Sequence, residues 1–204
     1  MTNNNPYIYP TRCGQVAVEP IGNLAELEHN ATAEELQSVE GITASSRRAA
    51  RLAWRALLRS MLLPTTVEVS YLSNGKPEIR NSQYRHISVS HSRDYVAVAL
   101  SQEPCGVDVE RIDRNFERVK SRYMTAAEAL LSDDAHWSAV VWCAKEALYK
   151  YAGREGVDFL RDIVIVSAQQ QGQSWSLVAE LLGSEQVELR GECLGEHHIL
   201  VFTM

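Results

Sequence analysis

Gly106-Val107-Asp108-Val109-Glu110 and, farther along, Trp142-Cys143-Ala144-Lys145-Glu146-Ala147-Leu148-Tyr149-Lys150 are the two stretches around which the rest of the chain can be read. In the first, valine alternates with carboxylate, so a strand would turn Val107 and Val109 to the core and Asp108 and Glu110 to the opposite face. In the second, Trp142, Glu146 and Lys150 recur at i, i+4 and i+8, one stripe of a helix. Ionised carboxylates sharing a small volume repel unless a cation neutralises them, and a hard divalent ion ringed by oxygens does this well. Each stretch also has an ordinary explanation: a half-exposed strand, and a Glu-to-Lys helix pair worth about 0.2 to 0.5 kcal/mol. Their joint occurrence favours a magnesium site with a lysine beside it.

Working outward toward the N-terminus, the segment from Cys105 to Glu110 is expected as a third strand beside His86–Ser90 and Tyr95–Ser101, which alternate around a turn at His91-Ser92-Arg93-Asp94. Upstream, Val67–Leu72 and the residues after Lys76 read as a hairpin closed by Ser73-Asn74-Gly75. Ser45–Leu63 is strongly helical, with Leu52, Leu58, Met61 and Leu62 available to a core and Pro64 ending it. The other face of that helix carries Arg47, Arg51, Arg55 and Arg59 in four-residue steps, with Arg48 alongside and no acid within the helix. A solvated cationic face is one explanation; an anionic ligand is the other. Thr32-Ala33-Glu34-Glu35 matches a capping box for a helix ending near Gly41, Gly14–Pro20 reads as a strand, and Met1–Pro10 reads as frayed.

Working outward toward the C-terminus, Thr125-Ala126-Ala127-Glu128 is a second capping box. The helix bearing Glu146 is expected to start at Asp133 or Asp134 and stop near Gly153. Ile163–Ser167, Trp175–Leu182, Gln186–Cys193 and His198–Thr203 read as four successive strands. His197 and His198 would point to opposite faces of a strand and so make poor joint metal ligands.

Bulk properties set bounds. A chain of 204 residues, 45% hydrophobic and 23% charged, can bury the core of one large or two small domains. Cys13, Cys105, Cys143 and Cys193 are widely spaced, which indicates neither a zinc site nor a disulfide framework. No basic-then-apolar leader and no apolar run of about 20 residues is present, so a soluble, cytoplasmic protein without a membrane partner is expected. A formal charge of -6 argues against nucleic-acid binding.

The order Gly-Val-Asp-x-Glu, then Trp-Cys-x-Lys-Glu-Ala-x-x-Lys, resembles the paired signature of the 4'-phosphopantetheinyl transferases, in the longer single-chain form that activates peptide synthetases. Gly75-Lys76-Pro77 and Ser90-His91-Ser92 are similar to two further elements of that family. The resemblance implies an α+β fold of two similar halves in pseudo-twofold arrangement around an active-site cleft, here residues 1–111 and 112–204. It implies an enzyme: magnesium-dependent transfer of phosphopantetheine from coenzyme A to a serine of an apo acyl or peptidyl carrier protein, releasing 3',5'-adenosine bisphosphate. Asp108, Glu110 and Glu146 would hold the metal. Arg48, Arg51, Lys76, Ser90, His91, Lys145 and Lys150 would bind coenzyme A, with Arg48 or Arg51 taking the 3'-phosphate. Glu146 and Lys150 would serve catalysis together with Glu128, and Glu146, Glu128 or a metal-bound water would accept the serine proton. The segment from Val109 to Val141 is shorter than is usual in the longer transferases. Carrier proteins of this kind are usually acidic, so a chain with this net charge would dock through a local basic or apolar patch. A monomer is expected, because both halves of the cleft lie in one polypeptide. A non-catalytic binder of coenzyme A or carrier protein and a magnesium-dependent phosphodiesterase are the alternatives; the second leaves Gly-Lys-Pro and Ser-His-Ser unexplained.

Overall fold

The computed structural model describes residues 6–65, 67–72 and 75–204. In chain order the described elements are β1 (Tyr7–Pro10), β2 (Gly14–Pro20), α1 (Leu24–Asn30), α2 (Ala33–Gln37), α3 (Ser45–Leu62), β3 (Glu68–Tyr71), β4 (Pro77–Arg80), β5 (His86–His91), β6 (Tyr95–Ser101), β7 (Val107–Arg111), a 3-10 turn at Lys120–Arg122, α4 (Ala126–Ala129), α5 (Trp137–Ala152), β8 (Ile163–Gln171), β9 (Ser174–Leu181), β10 (Glu185–Leu194) and β11 (His198–Thr203). They form an antiparallel four-stranded sheet in the order β1-β2-β6-β5, an antiparallel five-stranded sheet in the order β7-β11-β10-β9-β8, and the β3-β4 hairpin.

Alternation along the strands dictates the layering. Ala17, Val96, Val98 and Leu100 face Ala53, Trp54, Leu57 and Leu58 of α3, whereas Val16, Val18, Ala97 and Ala99 face Val107, Val109, Leu200 and Phe202 across the space between the sheets. On the far side of the five-stranded sheet, Val140, Ala144 and Leu148 of α5 pack on Ile163, Leu177, Leu189, Ile199 and Val201. The order of layers is therefore helix, sheet, sheet, helix, each sheet burying both faces by the two-residue period of its side chains.

Two expectations are corrected, and one helix is found where none is expected. Tyr7–Pro10 is ordered as an edge strand paired with β2, its Tyr9 ring 5.4 Å from that of Phe202. A seven-residue helix, α1, capped by Asn23, precedes the Thr32 capping box. The strand with the paired acids does not extend the sheet of β5 and β6: β7 hydrogen-bonds to β11, so the five-stranded sheet begins at Val107. Serine side chains stitch β5 to β7 in place of a ladder, Ser88 Oγ accepting the Val107 amide at 3.2 Å and Ser90 Oγ the Val109 amide at 3.3 Å. Both capping boxes are formed, but the helix bearing Glu146 starts at Trp137 rather than at Asp133 or Asp134, because Asp134 accepts the His136 amide in the turn before it instead of capping the helix, and the first C-terminal strand runs on to Gln171. The Ser73-Asn74 part of the expected hairpin turn lies outside the described residues. No helix among the described residues is long and apolar enough to cross a membrane.

Candidate active site

Two glycines bring the signature stretches together. A Cβ on Gly106 would stand 1.9 Å from the Ala147 carbonyl oxygen, so only glycine lets the start of β7 lie this close to α5. Gly153 ends α5 in the left-handed region at φ +63°, and beside it Lys76 Nζ donates to the Lys150 carbonyl at 3.2 Å.

With β7 held against α5, Val107 and Val109 are fully buried between the sheets and Asp108 turns toward the helix. Asp108 Oδ1 accepts from Lys150 Nζ at 2.8 Å and from Ser90 Oγ at 2.7 Å; Lys150 Nζ also donates to the Val107 carbonyl at 2.9 Å. Asp108 Oδ2 is buried with no hydrogen-bond partner. Burial, then the Asp108 charge, push the Glu110 carboxyl up to about 7, with Arg114 and Lys150 opposing and Glu146 adding. Burial and then Asp108 likewise raise Glu146. Crowding of like charge in a desolvated place is the common cause. Arg114 pairs with Glu110 and lies 5.3 Å from the Trp142 ring centroid.

Among the described residues no group of three or more His, Cys, Asp or Glu side chains is arranged as a metal centre. The chemistry of the three acids nonetheless suits a hard cation. Each senses another's charge, and one buried carboxylate oxygen lacks a partner.

Beside these acids runs a cationic groove in two adjoining parts. The wider part, about 720 Å³, is lined by Arg47, Arg51, Trp54, Tyr71 and His91; the narrower, about 310 Å³, by Lys76, Tyr149, Lys150 and Arg154, with one acid, Glu155, among them. Both include Gly75, Pro77 and Val89, which makes them continuous at the Gly-Lys-Pro element. Lys150 thus faces the groove on one side and Asp108 on the other.

Four expected ligand or catalytic residues are placed otherwise. Arg48 donates to Glu28 and to the Val39 and Ile42 carbonyls, which ties α3 to the helices before it and leaves Arg47 and Arg51 to line the groove. Arg55 and Arg59 pair with Glu34 and Glu35, so three of the five arginines meet acids of α1 and α2 rather than an external anion. Ser90 is buried, and its hydroxyl is directed to Asp108. Glu128 and Lys145 form an ion pair in which neither residue has exposed surface, with Nζ to Oε1 at 2.7 Å. Glu128 also accepts from Thr125 and the Ile165 amide, and Lys145 also donates to the Phe159 and Ile163 carbonyls, so neither has capacity left for substrate. Burial lowers the Lys145 ammonium, and Glu128 opposes that change.

Arg154 and Arg114 have no place among the expected residues, and Arg47 is expected only as one of the arginines that could face an anion, not as a named coenzyme A ligand. Arg47 shares a helix stripe with Arg51, which was a usable signal; the acids that engage Arg48, Arg55 and Arg59 lie in other helices and gave none.

A family model for the 4'-phosphopantetheinyl transferase superfamily matches residues 104–198. Similar proteins include 4'-phosphopantetheinyl transferase psf-1 of Bacillus pumilus, 31% identical over 107 residues, which are 50% of this chain and 46% of that protein. The transferase AcpT of Escherichia coli is 34% identical over 119 residues, 52% of this chain and 59% of that protein. The transferase Sfp of Bacillus subtilis is 29% identical over 105 residues, 48% of this chain and 46% of that protein. The matched part spans about half the length of these curated relatives.

Proposed function

We propose that the chain is a 4'-phosphopantetheinyl transferase, the superfamily whose model matches residues 104–198, and that it transfers the phosphopantetheine moiety of coenzyme A to a serine hydroxyl of an apo acyl or peptidyl carrier protein. The observation that carries this reading is the continuity of the cationic groove with Lys150, whose ammonium reaches the Asp108 carboxylate. A ligand with a phosphorylated nucleoside at one end and a pyrophosphate at the other matches positive charge at both ends of one channel. Arg47, Arg51 and His91 receive the nucleotide end; Lys76, Lys150 and Arg154 receive the pyrophosphate. Magnesium, when bound, would be held by Asp108, Glu110 and Glu146 and would neutralise charge on the pyrophosphate oxygens.

The serine oxygen attacks the phosphorus that bears the pantetheine. The bond from that phosphorus to the bridging oxygen breaks, and 3',5'-adenosine bisphosphate leaves with the electron pair. Lys150 offsets the charge that grows on the phosphate oxygens, and its bonds to Asp108 and the Val107 carbonyl fix its position beforehand. We assign the serine proton to Glu146, the acid that α5 supplies on the same helix stripe as Lys150. The two sheet-and-helix layers, α3 on one sheet and α5 on the other, are read as the two related halves of a cytoplasmic monomer, with the boundary moved to before Val107.

Incubation with coenzyme A, magnesium and an apo carrier protein, followed by mass spectrometry of the carrier, tests the reading. A gain of one phosphopantetheine is expected, and Glu146→Gln should abolish it. Coenzyme A bound with no mass gain would mean a binding protein, and coenzyme A consumed without a carrier would mean a hydrolase.

A further inference from the structure

Arg51 and Tyr71 meet in the wider part of the groove. The guanidinium lies 5.0 Å from the Tyr71 ring centroid, and Nη1 donates to the Tyr71 hydroxyl at 2.5 Å. Helix α3 supplies one partner and strand β3 the other, so the contact joins two walls of the cavity.

What holds each arginine of α3 differs in kind. Arg48, Arg55 and Arg59 each face a carboxylate, which cancels charge as it fixes geometry. Arg51 is held by a neutral phenol and a ring face. That tether restricts a long flexible side chain while keeping its full positive charge, and one N–H given to a hydroxyl leaves other donors of the planar fork available. An arginine that is oriented but not neutralised is suited to reading a phosphate.

We propose that Tyr71 is a positioning residue that sets nucleotide specificity: it orients Arg51 for the 3'-phosphate of coenzyme A, so that nucleotides lacking this group bind less well. The inference rests on the coenzyme A reading above and adds to it the residue that discriminates.

Calorimetric titration of the purified chain with adenosine 3',5'-bisphosphate and with AMP tests it without any transfer step. The wild type should prefer the bisphosphate. Tyr71→Phe removes only the hydroxyl and should weaken the bisphosphate roughly tenfold while leaving AMP unchanged, the size expected for one hydrogen bond to a charged group. Arg51→Ala should lose the same preference, and adding Tyr71→Phe to it should cost nothing more. Tyr71 is 41% exposed, so an unchanged melting temperature should accompany Tyr71→Phe. Equal weakening of both ligands, or of neither, overturns the role of Tyr71 while leaving the coenzyme A reading intact, provided that the wild type modifies a carrier. If the wild type binds neither nucleotide and modifies no carrier, the coenzyme A reading falls and this inference with it.

Discussion

Ser90 donates its hydroxyl proton to Asp108 across the seam between the two sheets at 2.7 Å, and the same oxygen accepts the Val109 amide at 3.3 Å. One side chain therefore joins the edge of one sheet to the acid that faces α5 from the other. Ser90→Ala should leave an amide and a carboxylate oxygen short of a partner in a buried place, at about 1 to 3 kcal/mol of stability. Urea denaturation reads that loss directly. His91→Ala removes a groove residue from an exposed position and should weaken coenzyme A binding with the urea midpoint unmoved. The reverse pattern would return Ser90 to the ligand and His91 to the scaffold.

A second separation concerns Glu128 and Lys145. Neither has exposed surface, so Lys145→Met would leave the Glu128 charge uncompensated, at about 3 to 5 kcal/mol. Adding Glu128→Gln should restore part of it, since the neutral amide still has an oxygen for the Thr125 or Ile165 amide. Folded protein should keep its affinity for coenzyme A. A Lys145→Met protein of undiminished stability that binds coenzyme A poorly would show the lysine to be a ligand after all.

The periods of the signature strand and helix were legible in the sequence because each is local: Val107 and Val109 inward, Asp108 turned toward α5, and Glu146 and Lys150 on one stripe. The two capping boxes were legible for the same reason, and the one ending in Glu128 shows the limit of such evidence. Its Thr125-to-Glu128 bonds follow from spacing, but its ion pair with Lys145 spans 17 positions and its bond to the Ile165 amide spans 37. No local pattern announces either. The arginines of α3 fail in the same way. Their spacing predicts a charged stripe, yet whether each meets Glu28, Glu34, Glu35 or open groove depends on how α1 and α2 pack. The sheet to which β7 belongs was missed because a valine alternation fits either neighbour, and its pairing is fixed by β11, far along the chain.

Acidity supplies a third test. The folded Glu110 carboxyl is raised from 4.5 to about 7, by burial first and Asp108 second. A carboxyl raised on folding binds more protons in the native state, so its contribution to stability is present below about 4.5 and is lost as pH rises through about 7. The loss is on the order of 3 kcal/mol at most, because each tenfold change in proton affinity corresponds to about 1.4 kcal/mol. Protein without magnesium should unfold at lower urea at pH 8 than at pH 5, and Glu110→Gln should flatten that difference. Magnesium should restore stability at pH 8 far more than at pH 5, where protonated Glu110 is a poor ligand. A urea midpoint equal at both pH values, with and without the ion, would remove the crowded-acid account.

Neighbouring arginines give the last test, because Arg47 and Arg48 are adjacent in sequence and opposite in circumstance. Arg47 is exposed and lines the wider groove, whereas Arg48 donates to Glu28 and to the Val39 carbonyl at 2.9 Å. Arg47→Ala should weaken coenzyme A roughly tenfold, as expected for loss of one charged contact to phosphate, and should leave the melting temperature unchanged. Arg48→Ala should do the opposite: affinity kept, and about 0.5 to 1.5 kcal/mol of stability lost with the bond to the Val39 carbonyl, which keeps the Ile42 amide as a donor, while the half-exposed pair with Glu28 adds little. Calorimetry with coenzyme A and thermal unfolding of both variants decide the matter. Weakened binding in Arg48→Ala with full stability would mean that its partner changes from Glu28 to a phosphate when the ligand arrives.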